Sequence, residues 1–174
     1  MRKLEDKLKW YAGEFEEINS KIDSKDFLSH YDFLRIRNFK LQNLSVADER
    51  HIEDVTKKAF DLAKQDKIEE SVKKLVELDG VRVPIASAIL AMRFPEKYAI
   101  IDKRVITQLK KDGYIKKSEK EKWLEKYSRE PNTVVIMVYK EYLILMKNLA
   151  KEKNIKLREF ERSLFEKSFE KKGR

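Results

Sequence analysis

The chain contains no cysteine, and its 174 residues include only four glycines, three prolines and two histidines. Without cysteine it cannot form a disulfide framework, a thiol nucleophile, a thiolate zinc site or a cysteine-ligated iron–sulfur cluster. His30 and His51 are too few and too far apart in the sequence to indicate a catalytic zinc or a Ser–His dyad. We therefore expect none of these cofactors.

Long apolar runs are also missing from the sequence. The longest, residues 134–139, is far shorter than the roughly 20 residues of a membrane-spanning helix. Met1, Arg2 and Lys3 are not followed by the apolar stretch of a secretory signal peptide. We therefore expect a cytoplasmic protein without a membrane partner.

The chain is instead rich in charged and helix-forming residues. Charged residues make up 41% of it and hydrophobic residues another 41%, which is enough for a core. With so little glycine and proline, this composition predicts helix throughout. We expect one all-α domain over residues 1–174, a compact orthogonal bundle of about eight helices, with two small lobes around a cleft as a variant. Abundant lysine and glutamate without cysteine is also typical of thermophilic proteins.

The net charge of +9 is unevenly distributed. Residues 1–102 carry 19 Lys+Arg against 20 Asp+Glu, whereas residues 103–174 carry 21 against 11. A neutral half joined to a basic half indicates a polyanionic partner, most commonly nucleic acid. The alternative is a set of solvated helix faces without a partner.

Apolar residues at steps of three and four predict several amphipathic helices. The first has one inward stripe, formed by Leu4, Leu8, Tyr11, Phe15, Ile18 and Ile22. A second helix is expected to bury Phe27, Tyr31, Leu34 and Phe39. Ser45 and Ser118 are predicted N-caps of later helices. The apolar stretch 134–146 predicts a helix buried on nearly all sides, and residues 165–174 are expected to form a frayed tail.

A tight turn is predicted between two helices around Gly80. The helix that begins near Ile68 should stop at Gly80, and Pro84 can open the next helix because its missing N–H would be unpaired there. Only glycine takes a positive φ at such a bend without strain. The turn would direct backbone N–H groups from a helix N-terminus toward a phosphate oxygen, which gives affinity independent of base sequence. The alternative is an ordinary turn between two packed helices.

The sequence around this turn resembles a known family of enzymes. Residues 78–90 read Leu-Asp-Gly-Val-Arg-Val-Pro-Ile-Ala-Ser-Ala-Ile-Leu, and residues 94–102 read Phe-Pro-Glu-Lys-Tyr-Ala-Ile-Ile-Asp. Both stretches are similar to the helix-hairpin-helix (HhH-GPD) superfamily of base-excision DNA glycosylases, which have the endonuclease III-like fold. In that family a Leu-Pro-Gly-Val-Gly hairpin is followed by a loop, a short apolar run and a catalytic aspartate. The sixteen positions from Ala86 to Asp102 match endonuclease III-type members, and the resemblance covers about residues 70–110.

The resemblance implies a function and a set of site residues. It implies a monofunctional glycosylase that hydrolyses the N-glycosidic bond of a damaged or mismatched base flipped out of duplex DNA. Asp102 would stabilise the positive charge that develops at C1′ and orient the attacking water. The residues expected to contact DNA are Gly80, Val81, Arg82, Val83, Lys103 and Arg104. A monovalent cation bridging to phosphate would be held by the backbone carbonyls of Val76, Leu78 and Val81.

The chain departs from the family pattern at three points. The lysine that bifunctional members carry four residues after the hairpin glycine is replaced by Pro84, so an enzyme of this kind would lack lyase chemistry through that position. The cysteines that hold an iron–sulfur cluster in many members are absent. Arg82 replaces the second hairpin glycine, where it either adds a phosphate contact or disturbs a turn that needs a positive φ.

Several alternatives stay open at this point. Asp102 is also a good N-cap residue, a purely structural role that stabilises a helix by about 1 kcal/mol. The chain is then either a glycosylase, a non-catalytic duplex-binding module, or a helical adaptor whose basic surface meets a protein or RNA. Phe39 and Gln42 can face a cleft, but no motif assigns them. A polar cleft beside Asp102 would favour the enzyme, and apolar side chains plugging that cleft would favour the binding module.

Overall fold

A computed structural model describes residues 2–40, 48–127 and 133–169. Within these ranges the protein is all-α, with nine helices and no β-strand, which confirms the predicted fold class. The helices are α1 (Arg2–Ile22), α2 (His30–Lys40), α3 (Glu49–Lys64), α4 (Ile68–Leu75), α5 (Val83–Arg93), α6 (Lys103–Lys111), α7 (Lys117–Tyr127), α8 (Thr133–Glu152) and α9 (Leu157–Lys167). None of the described helices combines the length and the apolar character needed to cross a bilayer.

Helix α5 lies at the centre of the fold. Its residues from Ile85 to Met92 are all buried, as is Val83 at its start. It packs against α1, α2, α4 and α8. A helix that is apolar on all sides is stable in water only when it is enclosed in this way, and its predicted central position is confirmed.

The inward face of α2 differs from the prediction. The helix begins at His30, so Phe27 lies before it and is exposed, and Tyr31 in its first turn is 64% exposed. The reason is a side-chain cap: the Asp32 carboxylate accepts hydrogen bonds from the Ser29 amide at 3.1 Å and the Ser29 hydroxyl at 2.8 Å. This cap fixes the first turn so that the following residues face the core, and the prediction that Phe27 and Tyr31 are buried is wrong.

Two predicted N-caps are replaced by other residues. Asp48 caps α3 by accepting a hydrogen bond from the Arg50 amide, whereas Ser45 lies outside the described residues. Ser118 lies inside α7 and does not cap it. Instead, the Lys116 amide donates to the Glu119 carboxylate at 2.8 Å, one half of a capping box.

The two C-terminal helices also differ from the prediction: α8 is more exposed, and α9 is longer. Helix α8 exposes Met137 and Ile144 and is therefore buried on one side only. Helix α9 continues to Lys167 and so extends into the tail predicted from residue 165. Its apolar face packs inward through Leu157, Phe160 and Leu164.

Candidate active site

The turn between α4 and α5 is closed by one backbone hydrogen bond. The Val81 amide donates to the Leu78 carbonyl at 2.9 Å, and Gly80 has a φ of +74°. A positive φ at the third residue of a four-residue turn is the signature of a type II turn, which favours glycine there. Arg82 has a φ of −108° and a ψ of 171° as N-cap of α5. Its backbone is therefore extended, and arginine introduces no strain where the family has its second glycine.

The residues of this turn differ in what they present to solvent. Val81 and Val83 are buried as whole residues, so neither presents a side chain to a ligand. Gly80 and Arg82 are exposed. The Leu78 carbonyl already accepts the turn's hydrogen bond, which leaves it one lone pair for a cation.

The segment that leads into Asp102 is extended, and side chains satisfy its backbone. The Tyr139 hydroxyl donates to the Ala99 carbonyl at 3.0 Å, and the Tyr142 hydroxyl donates to the Ile100 carbonyl at 2.9 Å. Burial raises the pKa of Tyr139 well above its usual range, so this phenol stays protonated and remains a donor. Both tyrosines come from α8 and fix the segment from one side.

The amides of the same segment are held by two further elements. The Ile101 amide donates to the Ser87 hydroxyl on α5 at 3.2 Å, and the Ile100 amide donates to the Glu161 carboxylate on α9 at 3.3 Å. Glu161 is buried and pairs with the Arg158 guanidinium at 2.9 Å. Buried hydrogen bonds of this kind hold a backbone rigidly, and here they determine where Asp102 begins α6.

Asp102 has two partners, one for each carboxylate oxygen. Oδ1 accepts a hydrogen bond from the Arg104 amide at 2.8 Å, so the prediction that Asp102 caps α6 is confirmed. Oδ2 lies 3.2 Å from Nζ of Lys40, the last residue of α2. The Asp102 side chain is 23% exposed and that of Lys40 is 12% exposed. The carboxylate is therefore oriented by its cap and paired with a cation while it still reaches solvent.

A cavity of about 370 Å³ lies directly beside this pair. Ligand pockets are commonly about 300–1,000 Å³. One wall is aromatic: the Tyr11 ring centroid lies 5.2 Å from that of Phe39 and 5.6 Å from that of Phe165. On sequence grounds, both Phe39 and Gln42 can face a cleft. Phe39 does face one, and Gln42 lies outside the described residues.

The rest of the cavity lining combines charged side chains with apolar residues, among them Leu8, Ile85 and Ile100. It includes five cationic and three anionic side chains, namely Lys40, Arg82, Lys103, Arg158, Arg162, Asp102, Glu161 and Glu166. The cleft beside Asp102 is therefore open, and its charged groups are set in a surface that is mostly apolar. That mixture suits a ligand with a flat apolar part and a negatively charged part.

The structure brings some of the predicted DNA-contacting residues to this cavity and not others. Arg82 and Lys103 line it. The Arg104 guanidinium lies instead over the ring of Phe169, 4.1 Å from its centroid. Pro84 also lines the cavity.

Five charged residues that line the cavity were not predicted as site residues from the sequence, namely Lys40, Arg158, Glu161, Arg162 and Glu166. Lys40 is 62 positions from Asp102, and Glu161 is 61 positions from Ile100. Arg158 adjoins Glu161 on α9 and lies over the Phe15 ring at 3.6 Å from the centroid. Each stands in a helix rich in lysine, arginine and glutamate, so no local motif distinguishes it from a solvated charge.

Within the described ranges, no three histidine or carboxylate side chains come together as a metal site. No protein-family model, curated protein or solved structure matches the chain.

Proposed function

We propose that this protein binds duplex DNA and hydrolyses the N-glycosidic bond of a damaged or mismatched base flipped into the cavity. The main support is the position of Asp102, whose oriented carboxylate lines a cavity of about 370 Å³ next to the Gly80 turn. A nucleotide held at that turn by its phosphate would have its sugar close to the carboxylate.

The chemistry assigned to Asp102 follows from the charge that develops in the reaction. As the bond between C1′ and the base breaks, its electron pair leaves with the base and C1′ gains oxocarbenium character. A carboxylate at C1′ stabilises this charge and orients the water that attacks it. Because Oδ1 is engaged by the Arg104 amide, we assign that role to Oδ2, the oxygen that is paired with Lys40 beside the cavity.

The cavity lining supports a flipped base as the occupant. Enzymes that act on bases stack the extruded base between aromatic or apolar side chains. Tyr11, Phe39 and Phe165 supply such a surface. The charged side of the cavity would face the sugar and phosphates.

Duplex binding is assigned to backbone and cationic groups around the same cavity. The exposed Gly80 turn offers backbone contacts to phosphate, and Arg82 and Lys103 add positive charge at the cavity. The carbonyls of Val76, Leu78 and Val81 would hold a monovalent cation that bridges to the phosphate. Phosphate contacts of this kind make affinity fall steeply as salt rises.

The enzyme is tested with a panel of duplexes, each carrying one altered base: uracil, hypoxanthine, an oxidised guanine, an alkylated purine or a G·T mismatch. After incubation, heating in alkali cleaves the strand wherever a base has been removed. The wild-type protein should cleave at least one duplex, and Asp102→Asn should cleave none. Asparagine still caps a helix, so this variant should keep its fold.

The matched control is Asp54→Asn, which changes an exposed aspartate that is ion-paired to Lys58. It should cleave like the wild type. Absence of cleavage on every duplex, or equal cleavage by Asp102→Asn, would refute the enzyme as proposed.

One observation favours a second candidate, a non-catalytic duplex-binding module. The ion pair with Lys40 and the cap on α6 together account for Asp102 as a purely structural residue. This candidate predicts salt-dependent duplex binding without base removal. Absence of duplex binding at low salt would exclude both candidates and leave a helical adaptor.

A further inference from the structure

Lys40 brings a lysine amine to the cavity, whereas the hairpin of this protein has no lysine. Pro84 and Lys40 both line the cavity, but they belong to different helices, α5 and α2. Nζ of Lys40 is 3.2 Å from Oδ2 of Asp102, and its side chain is only 12% exposed. By contrast, Lys58 pairs with Asp54 at 2.7 Å on the surface and is 57% exposed.

We propose that Lys40 is the nucleophile of an abasic-site lyase that uses this cavity. This inference rests on the proposed function, because it requires that the C1′ atom of a flipped nucleotide reach Asp102. Lysine amines attack carbonyl carbons to form Schiff bases, and C1′ of an abasic site is an aldehyde in its ring-opened form. A group that approaches the Asp102 carboxylate within the cavity also approaches the Lys40 amine.

The pairing with Asp102 supplies the proton transfers that the attack needs. Lys40 passes one proton to Asp102, and its nitrogen attacks C1′. The carbonyl oxygen takes a hydrogen from the amine and the proton from Asp102 and leaves as water. The product is a protonated imine that joins Lys40 to C1′.

Strand cleavage then follows by elimination. The ionised Asp102 removes a proton from C2′, the bond between C3′ and its oxygen breaks, and the 3′-phosphate leaves with the electron pair. Water hydrolyses the protonated imine, which releases an unsaturated aldehyde on the DNA and regenerates Lys40 as its ammonium form. Asp102 passes the proton taken from C2′ to solvent water and is ionised again. The sequence needs no oxidant, reductant or further reactant.

The test uses a duplex with a single abasic site, so it does not depend on which altered base the enzyme removes. Protein and duplex are incubated with sodium cyanoborohydride, which reduces the imine and traps a covalent adduct. The wild-type protein should form an adduct that peptide mapping locates at Lys40. Without the reductant, the wild type should nick the strand with no alkali treatment.

Lys40→Arg separates a nucleophile from a merely structural ion pair. Arginine keeps a positive charge beside Asp102, but its guanidinium does not form the imine. Trapping and nicking should therefore fall to background, whereas duplex affinity and the free energy of unfolding should stay near those of the wild type. Lys58→Arg, the same change in an exposed lysine–aspartate pair, should trap like the wild type.

The outcomes distinguish this inference from the function on which it rests. Trapping that persists in Lys40→Arg, or an adduct mapped to another lysine or to the terminal amine, would overturn the inference. So would a wild-type protein that binds the duplex and removes altered bases but forms no adduct. In that case the proposed glycosylase activity would remain and the lyase activity would be rejected. Absence of duplex binding at low salt would overturn both.

Discussion

Removing one partner of the buried pair between Glu161 and Arg158 should destabilise the fold strongly. Glu161 joins two parts of the site: one carboxylate oxygen accepts the Ile100 amide at 3.3 Å, and the other pairs with Arg158 at 2.9 Å. The guanidinium in turn lies over the Phe15 ring on α1. We therefore consider Glu161→Leu, which keeps a similar size and removes both interactions.

The expected loss of stability follows from what Glu161→Leu leaves behind. The Ile100 amide would be buried without an acceptor, which costs about 1–3 kcal/mol. Arg158, whose side chain is 16% exposed, would lose its counter-ion, and removing one partner of a buried pair costs about 3–5 kcal/mol. Because Arg158 is partly exposed to solvent, the second cost should be smaller than for a fully buried pair. We therefore expect the free energy of unfolding to fall by about 3–5 kcal/mol in total, which corresponds to a drop in Tm of about 10 °C.

A double-mutant cycle tests whether the charge is the cause. Arg158→Met alone leaves the Glu161 carboxylate buried and unpaired, and should also cost about 3–5 kcal/mol. The double variant contains neither charge and retains only the unpaired Ile100 amide and the lost contact with Phe15. It should cost about 2 kcal/mol, less than either single change.

The assay is urea unfolding at pH 7, followed by far-UV circular dichroism, for the wild type, both single variants and the double variant. The m-value should stay constant across the four proteins, so that a shift in midpoint reports stability. A cost below about 1 kcal/mol for Glu161→Leu, or additive costs in the double variant, would refute the assigned role of the pair.

Five further substitutions test other parts of the fold. Gly80→Ala forces a side chain into a backbone with a φ of +74° and should cost about 1–2 kcal/mol in urea unfolding. Gly13→Ala, in a helix with open space around it, should instead stabilise by about 0.5–1 kcal/mol. Burial raises the pKa of Asp32, but hydrogen bonds from the neighbouring lysine and serine outweigh it, so the pKa is lowered on balance. The stability that Asp32 contributes is therefore present above its unfolded pKa of about 4 and is lost as pH falls through the lower folded pKa. Asp32→Asn should be less stable than the wild type at pH 7, and the difference should shrink toward pH 2 in thermal unfolding. An equal difference at both pH values would contradict this. Tyr139→Phe leaves a buried carbonyl without its donor and should cost about 1–3 kcal/mol, whereas Tyr31→Phe at an exposed position should stay within about 0.5 kcal/mol.

The helices could be predicted from the sequence wherever burial and periodicity agree. Phe15, Ile18 and Ile22 are buried on α1 at the predicted spacing, and α5 is enclosed because it has no polar face. These signals are local, since each residue's neighbours along the helix report which side faces the core. The same locality explains the error in α2, where the carboxylate of Asp32 sets the start of the helix and hence its inward face.

The candidate site was predicted only where it is continuous in the sequence. Gly80, Pro84 and Asp102 lie within one segment of the chain, and their turn, helix start and cap were all predicted. Lys40 and Glu161 reach the same place from helices about 60 positions away. Contacts over such separations depend on how the helices pack, which periodicity does not specify.

The way in which residues 99–101 are held bears on the role of Asp102. An N-cap alone requires only that a carboxylate reach the first turn of its helix, and it contributes about 1 kcal/mol. Here four buried side chains from α5, α8 and α9 fix the extended segment that precedes the cap. Catalytic groups need placement to within about 0.5 Å and gain it from packed neighbours and satisfied hydrogen bonds. The support around Asp102 therefore exceeds what capping α6 requires, and we infer that it maintains the position of the second carboxylate oxygen, which is paired with Lys40 at the cavity.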